Sequence, residues 1–242
     1  MYSTKTMQAF INYFAFPAPF PSYDGNTKHL TFAYRDEFML PILFYNDNHQ
    51  NTILICHGNG EDIGFYDVEK ISKAWEANIC IFEYSGYGLH GCHYANEANI
   101  CKDILAAVDY LLDQGVTYSN LIIYGRSIGS GPACFLASEL CKQNNDPKAL
   151  ILVSPFLSIT TTVIGMSIYG DFFLNYEKAP YITCETFIIH GTADGVVPYD
   201  HGQRLGDMFQ KCNFESLANI GHNNIPMDWL SSLIRKFLKM TK

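Results

Sequence analysis

Basic residues are scarce in this sequence: 16 Lys and Arg stand against 24 Asp and Glu among 242 residues, a net charge of −8. Without a basic stripe to replace phosphate counterions, nucleic acid is not an expected partner. No run of roughly 18 apolar residues occurs, so no segment is expected to span a bilayer. Cysteine is present but never as a C-x-x-C pair: Cys56, Cys80, Cys92, Cys101, Cys134, Cys141, Cys184 and Cys212 are scattered. That pattern predicts buried free thiols in a reducing, cytoplasmic compartment, without a zinc framework. Neither G-x-G-x-x-G nor a Walker sequence is found, which removes the common nucleotide-binding loops. Tyr2 is not the glycine that myristoylation needs, and the final Met-Thr-Lys is no prenylation box. Asn12, Pro17, Pro19 and Pro21 interrupt the N-terminal aromatic stretch, so a secretory signal is not expected.

What the chain does have is 48% apolar and 17% charged residues, a globular composition able to bury a core without staples. Residues 1–242 read as one α/β domain. Leu30–Tyr34 and Pro41–Tyr45 suggest an antiparallel hairpin joined by Arg35-Asp36-Glu37. Continuous apolar runs follow at 52–57, 78–84, 120–125, 149–154 and 186–190, with a last one at 214–218. Such runs suit parallel strands buried on both faces. Between them, Ala98, Cys101, Ile104, Leu105, Val108, Leu111 and Leu112 recur at helical spacing, as do Ile225, Trp229, Leu233 and Phe237. Alternating strand and helix gives right-handed crossovers and a doubly wound, mostly parallel sheet. Residues 157–180 interrupt this alternation and form a candidate cap.

Chemistry enters at Tyr124-Gly125-Arg126-Ser127-Ile128-Gly129, a G-x-S-x-G flanked by a strand and a helical stretch from Pro132 to about Lys142. The turn strains the serine backbone and leaves no room for side chains on either flank, hence the glycines. A serine needs a base, and the base an orienting acid. Asp194 follows the strand ending at His190, and His222 follows the last strand, so acid and base come in the order this turn requires. Asp194 as a helix cap and Asp200 as a rival acid are the competing readings. His190 and His57 read as structural. His57-Gly58-Asn59-Gly60 follows the first central strand, so the amides of Asn59 and Ile128 are the candidate oxyanion donors, each contributing on the order of 3 kcal/mol.

Taken together, His57-Gly58-Asn59, Tyr84-Ser85-Gly86-Tyr87-Gly88, Ser154-Pro155-Phe156, His190-Gly191-Thr192-Ala193-Asp194 and Gly221-His222-Asn223 resemble the α/β-hydrolases. Within them, they resemble the α/β-hydrolase-domain-containing family-17, palmitoyl-protein thioesterase-like group. The resemblance spans roughly residues 13 to 238 and implies the triad Ser127, Asp194 and His222. Position 126 is Arg where that group typically has Gln. Its membrane-bound members carry an N-terminal cysteine cluster, whereas the first cysteine here is Cys56, so that anchor is not expected. Residues 10–20, with Phe14, Phe16 and Phe20, are either a weak membrane-surface contact or packing over the sheet.

The resulting expectation is a serine hydrolase acting on a small-molecule ester or an acylated protein, with no metal or organic cofactor. Tyr87, Met166, Tyr169 and Phe173 are the candidate pocket residues. Leu89-His90-Gly91-Cys92-His93 lacks partners at metal spacing and reads as a solvated loop. A serine aminopeptidase or small-amide hydrolase, and a non-catalytic binding protein of the same fold, stay open as alternatives.

Overall fold

The computed structural model describes residues 16–35, 38–91, 94–166 and 170–241. An eight-stranded sheet runs through it in the order β1-β2-β4-β3-β5-β6-β7-β8. The strands are β1 (Leu30–Arg35), β2 (Phe38–Tyr45), β3 (Thr52–Cys56), β4 (Asn78–Phe82), β5 (Leu121–Arg126), β6 (Ala149–Val153), β7 (Glu185–Gly191) and β8 (Cys212–Leu217). β1 and β2 pair antiparallel, as does β2 with β4, and every later pair is parallel. The expected hairpin and the six apolar runs therefore all became strands; residues 36–37 of its turn lie outside the described residues.

The central strands are buried on both faces, and alternate side chains feed two separate cores. Leu54, Cys56, Ile123, Leu150 and Leu152 face α2 (Glu97–Asp113) and α3 (Ser130–Lys142). Ile53, Ile55, Ile122, Tyr124, Ile151 and Val153 face α1 (Val68–Trp75) and the C-terminal helix (Met227–Met240). A strand carrying both rows reads as one continuous apolar run, which is why these strands were visible in the sequence. α1 was not anticipated. Asp67 caps it by accepting from the Lys70 N–H, and Val68, Ile71, Ser72 and Trp75 form its buried stripe.

The cap region holds two short helices, α4 (Ile159–Ile164) and α5 (Asn175–Lys178), and α6 spans Tyr199–Gly206. The C-terminal helix is α7. Among the described residues, no helix is long and apolar enough to cross a membrane. Cys56, Cys80, Cys101, Cys134, Cys141 and Cys184 are buried free thiols and Cys212 is half-buried; Cys92 lies outside the described residues.

The sequence stripe along α7 needs correcting. Ile225 lies before the helix and Trp229 is 55% exposed, whereas Leu230, Ile234 and Phe237 carry the burial. Ile225 and Leu233 pack at the edge of that core and Phe237 is buried as expected, so Trp229 is the member of the stripe that departs, because Trp counts as apolar wherever it sits. Ile234→Ala should therefore cost about 2–5 kcal/mol of folding stability, while Trp229→Ala should stay within about 1 kcal/mol. Urea denaturation of the two variants checks this; equal losses would refute the buried face.

Candidate active site

The site is assembled at the C-terminal ends of the parallel strands, where loops after β3, β5, β7 and β8 meet. β5 ends at Arg126, and Ser127 begins a single 3-10 turn, Ser127–Gly129, that runs into α3. Ser127 adopts φ +52°, in the left-handed region. A Cβ on Gly125 would sit 2.6 Å from the Gly129 carbonyl oxygen, and one on Gly129 would sit 2.2 Å from that of Cys56. Both flanks of the serine are thus backbone-on-backbone contacts that only glycine permits. The same contact draws the end of β3, and with it Asn59, alongside the serine.

His222 lies between the serine and the acid. Its Nε2 is 3.0 Å from Ser127 Oγ and its Nδ1 2.7 Å from Asp194 Oδ2. The loops that carry acid and histidine are joined through backbone: Thr192 N–H donates to Leu217 O and Ala193 N–H to Ile220 O. The Gly221 N–H donates to Asn224 Oδ1 at 2.6 Å and shapes the His222 turn. Asp194 is not merely a cap. One carboxylate oxygen accepts from the N–H groups of Val196 and Val197, each at 2.9 Å, while the other faces His222 and lies 3.4 Å from His190 Nε2. Burial pushes this carboxyl upward, but the bonds from His190, His222, Val196 and Val197 outweigh it and hold Asp194 well below the usual carboxylate range. Asp200 sits on α6, exposed and 3.7 Å from Arg204, remote from this arrangement.

The loop bearing Asn59 is braced from beneath. The His57 ring stacks on Tyr84 at 3.8 Å, its Nδ1 contacts the Gly58 carbonyl at 2.9 Å, and Tyr84 OH donates to the His57 carbonyl. Tyr87 is fully buried and donates to Asn59 Oδ1 at 2.8 Å, so it supports this loop and lines no substrate pocket. His90 is also buried, 3.1 Å from Asp103, which accepts from the Ser85 N–H. The expected solvated loop is therefore a packed one at His90; Cys92 and His93 lie outside the described residues.

A cavity of about 310 Å³ adjoins Ser127, lined by Asn59, Ile128, Phe156, Ile159 and Val197 among others. Of the expected pocket residues, Met166 is 61% exposed and Phe173 is fully buried against Gly131 and Phe16; neither lines it. Tyr169 lies outside the described residues. Phe173 instead clamps the cap to the helix following the serine, helped by Asn175 donating to Ser130 Oγ and to the Phe156 carbonyl. Of the stretch 10–20, Phe16 packs on Phe172 and Phe173, and Phe20 is exposed.

One cluster went unnoticed in the sequence. Arg126 pairs with Glu61 and donates to Asn223 Oδ1 at 2.8 Å, while Glu61 accepts from Tyr66 OH and the Gly58 N–H. It ties the Asn59 loop to the His222 loop across the site. The Arg at position 126 was its signal, but its partners are distant in sequence.

Residues 47–176 match the model of the serine aminopeptidase (S33) family. The chain is 33% identical over 183 residues to the α/β hydrolase L404 of Acanthamoeba polyphaga mimivirus, covering 73% of this chain and 68% of L404. It is 33% identical to α/β hydrolase domain-containing protein aho-3 of Caenorhabditis elegans, covering 74% of this chain and 54% of aho-3. To human α/β hydrolase domain-containing protein 17B it is 34% identical, covering 74% of this chain and 63% of 17B. The chain thus spans between 54% and 68% of the length of these relatives. In fold it is similar to the esterase Pf2001 of Pyrococcus furiosus (TM-score 0.69, 17% identity, 93% of this chain and 99% of that one). Est1E of Butyrivibrio proteoclasticus is comparably similar (TM-score 0.68, 15% identity, 87% and 98%).

The low-lying Asp194 has a consequence for acid stability. Unfolded, an Asp titrates near ~3.9, whereas the folded carboxyl stays ionised to lower pH. Its stabilisation is thus full at neutral pH and is lost as pH falls from the unfolded value through the folded one, because the unfolded state binds the extra proton. Asp194→Asn removes this contribution, so its stability should fall less steeply between about pH 5 and about pH 3. Urea midpoints across that range test it; parallel slopes would refute it.

Proposed function

Because the chain belongs to the serine aminopeptidase (S33) family of the α/β-hydrolases, within the group of α/β hydrolase domain-containing protein 17, we propose that it is a serine hydrolase of carboxylic esters or thioesters. The observation that carries this reading is the single imidazole of His222, within hydrogen-bond reach of both Ser127 and Asp194.

In this mechanism Ser127 Oγ attacks the carbonyl carbon while His222 Nε2 takes the hydroxyl proton. Asp194 accepts from Nδ1, fixing the tautomer and stabilising the imidazolium. The carbonyl oxygen gains negative charge, and the amides of Asn59 and Ile128 are its proposed donors. Collapse breaks the bond to the alkoxy or thiol leaving atom, which receives the proton from His222. Water then gives a proton to His222 as its oxygen attacks the acyl carbon; the bond to Ser127 Oγ breaks, His222 returns that proton to Oγ, and the carboxylic acid leaves. Atoms and protons balance among substrate, Ser127, His222 and water. Of the two chemistries, thioester cleavage demands less of His222 because a thiolate leaves more readily. The cavity beside Ser127, at about 310 Å³, suits a short to medium acyl chain. The family model's description keeps peptidyl amides as the second reading.

Ser127→Ala should fold normally and lose ester turnover by several orders of magnitude. Asp194→Asn should cripple turnover while Asp200→Asn leaves it nearly unchanged. Labelling by a fluorophosphonate, followed by p-nitrophenyl esters of rising acyl length, checks both. Near-normal turnover by Ser127→Ala would reject the assignment, and a strong preference for peptidyl amides would promote the second reading.

A further inference from the structure

We infer that Cys141 and Cys184 form an oxidisable dithiol, which a hydroperoxide closes into a disulfide joining the end of α3 to the start of β7. The inference does not depend on the serine-hydrolase reading. The two thiols come from separate segments. Cys141 lies in the last turn of α3, Cys184 immediately precedes β7, and β6 and the cap run between them. The 3-10 turn Ala179–Tyr181 packs against α3, with Lys142 Nζ 4.8 Å over the Tyr181 ring. That contact brings Thr183 and Cys184 onto the end of the helix. There the Cys184 thiol donates to Cys141 Sγ, which also accepts from the N–H groups of Thr183 and Cys184. Thr183 Oγ1 donates to Asp146 Oδ2 at 2.7 Å, which sets a carboxylate beside the pair.

This setting gives the two sulfurs different roles. Hydrogen bonds from Cys184 and then Thr183 outweigh burial and lower the Cys141 thiol to about 6. The same bond pushes Cys184 up, helped by burial and by the negative charges of Cys141 and Asp146. Cys141 is therefore a thiolate at neutral pH, and Cys184 a thiol held against it. The other thiols go the opposite way. Burial pushes Cys56, Cys80 and Cys101 up, Cys134 to about 12 and Cys212 to about 11. Among the described cysteines, Cys141 alone is lowered, and the thiolate is the form that attacks. Cys141 and Cys184 are 7% and 5% exposed. A cavity of about 490 Å³, lined by Lys142, Pro180 and Tyr181 among others, opens beside their segments and admits a water-sized oxidant.

The chemistry closes without further reactants. The Cys141 thiolate attacks one peroxide oxygen, the O–O bond breaks, and the departing hydroxide takes a proton to become water. Cys141 is then a sulfenic acid. The Cys184 sulfur attacks the Cys141 sulfur, the S–O bond breaks, and the hydroxide leaves with the Cys184 proton as a second water. Two thiols are oxidised to one disulfide, and one peroxide is reduced to two waters. The bridge closes residues 142–183 into a loop, which restricts the unfolded chain and staples the cap-bearing segment.

Hydrogen peroxide in slight molar excess should lower the mass of the native chain by about 2 Da, the two thiol hydrogens. A tryptic digest should then hold peptide 127–142 bridged to peptide 179–204, with fragmentation placing the bridge on Cys141 rather than Cys134. The oxidised chain should melt ~5 °C or more above the reduced one, and dithiothreitol should reverse the shift. In Cys184→Ser, dimedone should trap a sulfenic acid on Cys141, whereas in Cys141→Ser none should form at Cys184. The wild-type mass and peptide map decide the matter even where a serine variant folds poorly. A native chain that forms no bridge, or bridges another pair, overturns the inference. So does a Cys141 that reacts no faster than Cys134, or an oxidised chain that melts no higher than the reduced one.

Discussion

The approach of Gly129 to the end of β3 governs how this site is built. With no Cβ between them, the turn after β5 lies directly against the carbonyls of Cys56 and His57. That contact sets the serine beside the Asn59 loop and leaves Ser127 in a left-handed conformation. A non-glycine residue there costs of order 1–3 kcal/mol, so the surroundings must over-determine the turn. They do so through the glycine flanks, the Ser130 hydroxyl donating to the Ser127 carbonyl at 2.7 Å, and the cap clamped by Phe173 onto Gly131.

Buried polar groups then hold the loops that the glycines bring together. His57 and Glu83, and His90 and Asp103, are fully enclosed pairs beneath the Asn59 loop. Removing one partner from such a pair leaves a buried group uncompensated, which costs more than the intact pair contributes. These residues pin the loop without reaching the cavity, as do the two tyrosines of the loop after β4. At the surface, Arg126 with Glu61 and Asn223 closes the ring from the Asn59 loop to the His222 loop. Because it is half-buried and forked, it can serve both loops at once, which a lysine could not.

Among the described residues of the cap, Phe172 and Phe173 are spent on the body of the protein, against Phe16 and the helix after the serine. Among the described residues of α4, Ile159 and Thr162 reach the cavity. A larger cavity of about 690 Å³ lies between α1 and α7 and shares Glu61, Arg126, His222 and Asn223 with the one beside the serine.

Strand runs, the G-x-S-x-G turn and the positions of Asp194 and His222 were legible because each is local: a doubly buried strand is apolar at every residue, and a strained turn requires its own glycines. The family resemblance likewise rested on short contiguous motifs. Pocket residues were not legible. Tyr87, Met166 and Phe173 carry the right residue types, yet one hydrogen-bonds under a loop, one points to solvent and one packs on a glycine. Nor could the sequence reveal the Arg126–Glu61–Asn223 link, whose members lie 65 and 97 positions apart. Sequence by itself determined the succession of strands along the chain and the two residues that His222 joins, Ser127 and Asp194, since local periodicity and turn sterics encode them. Only tertiary structure decided which apolar side chains face open space, because that depends on which neighbours arrive from distant segments to cover them.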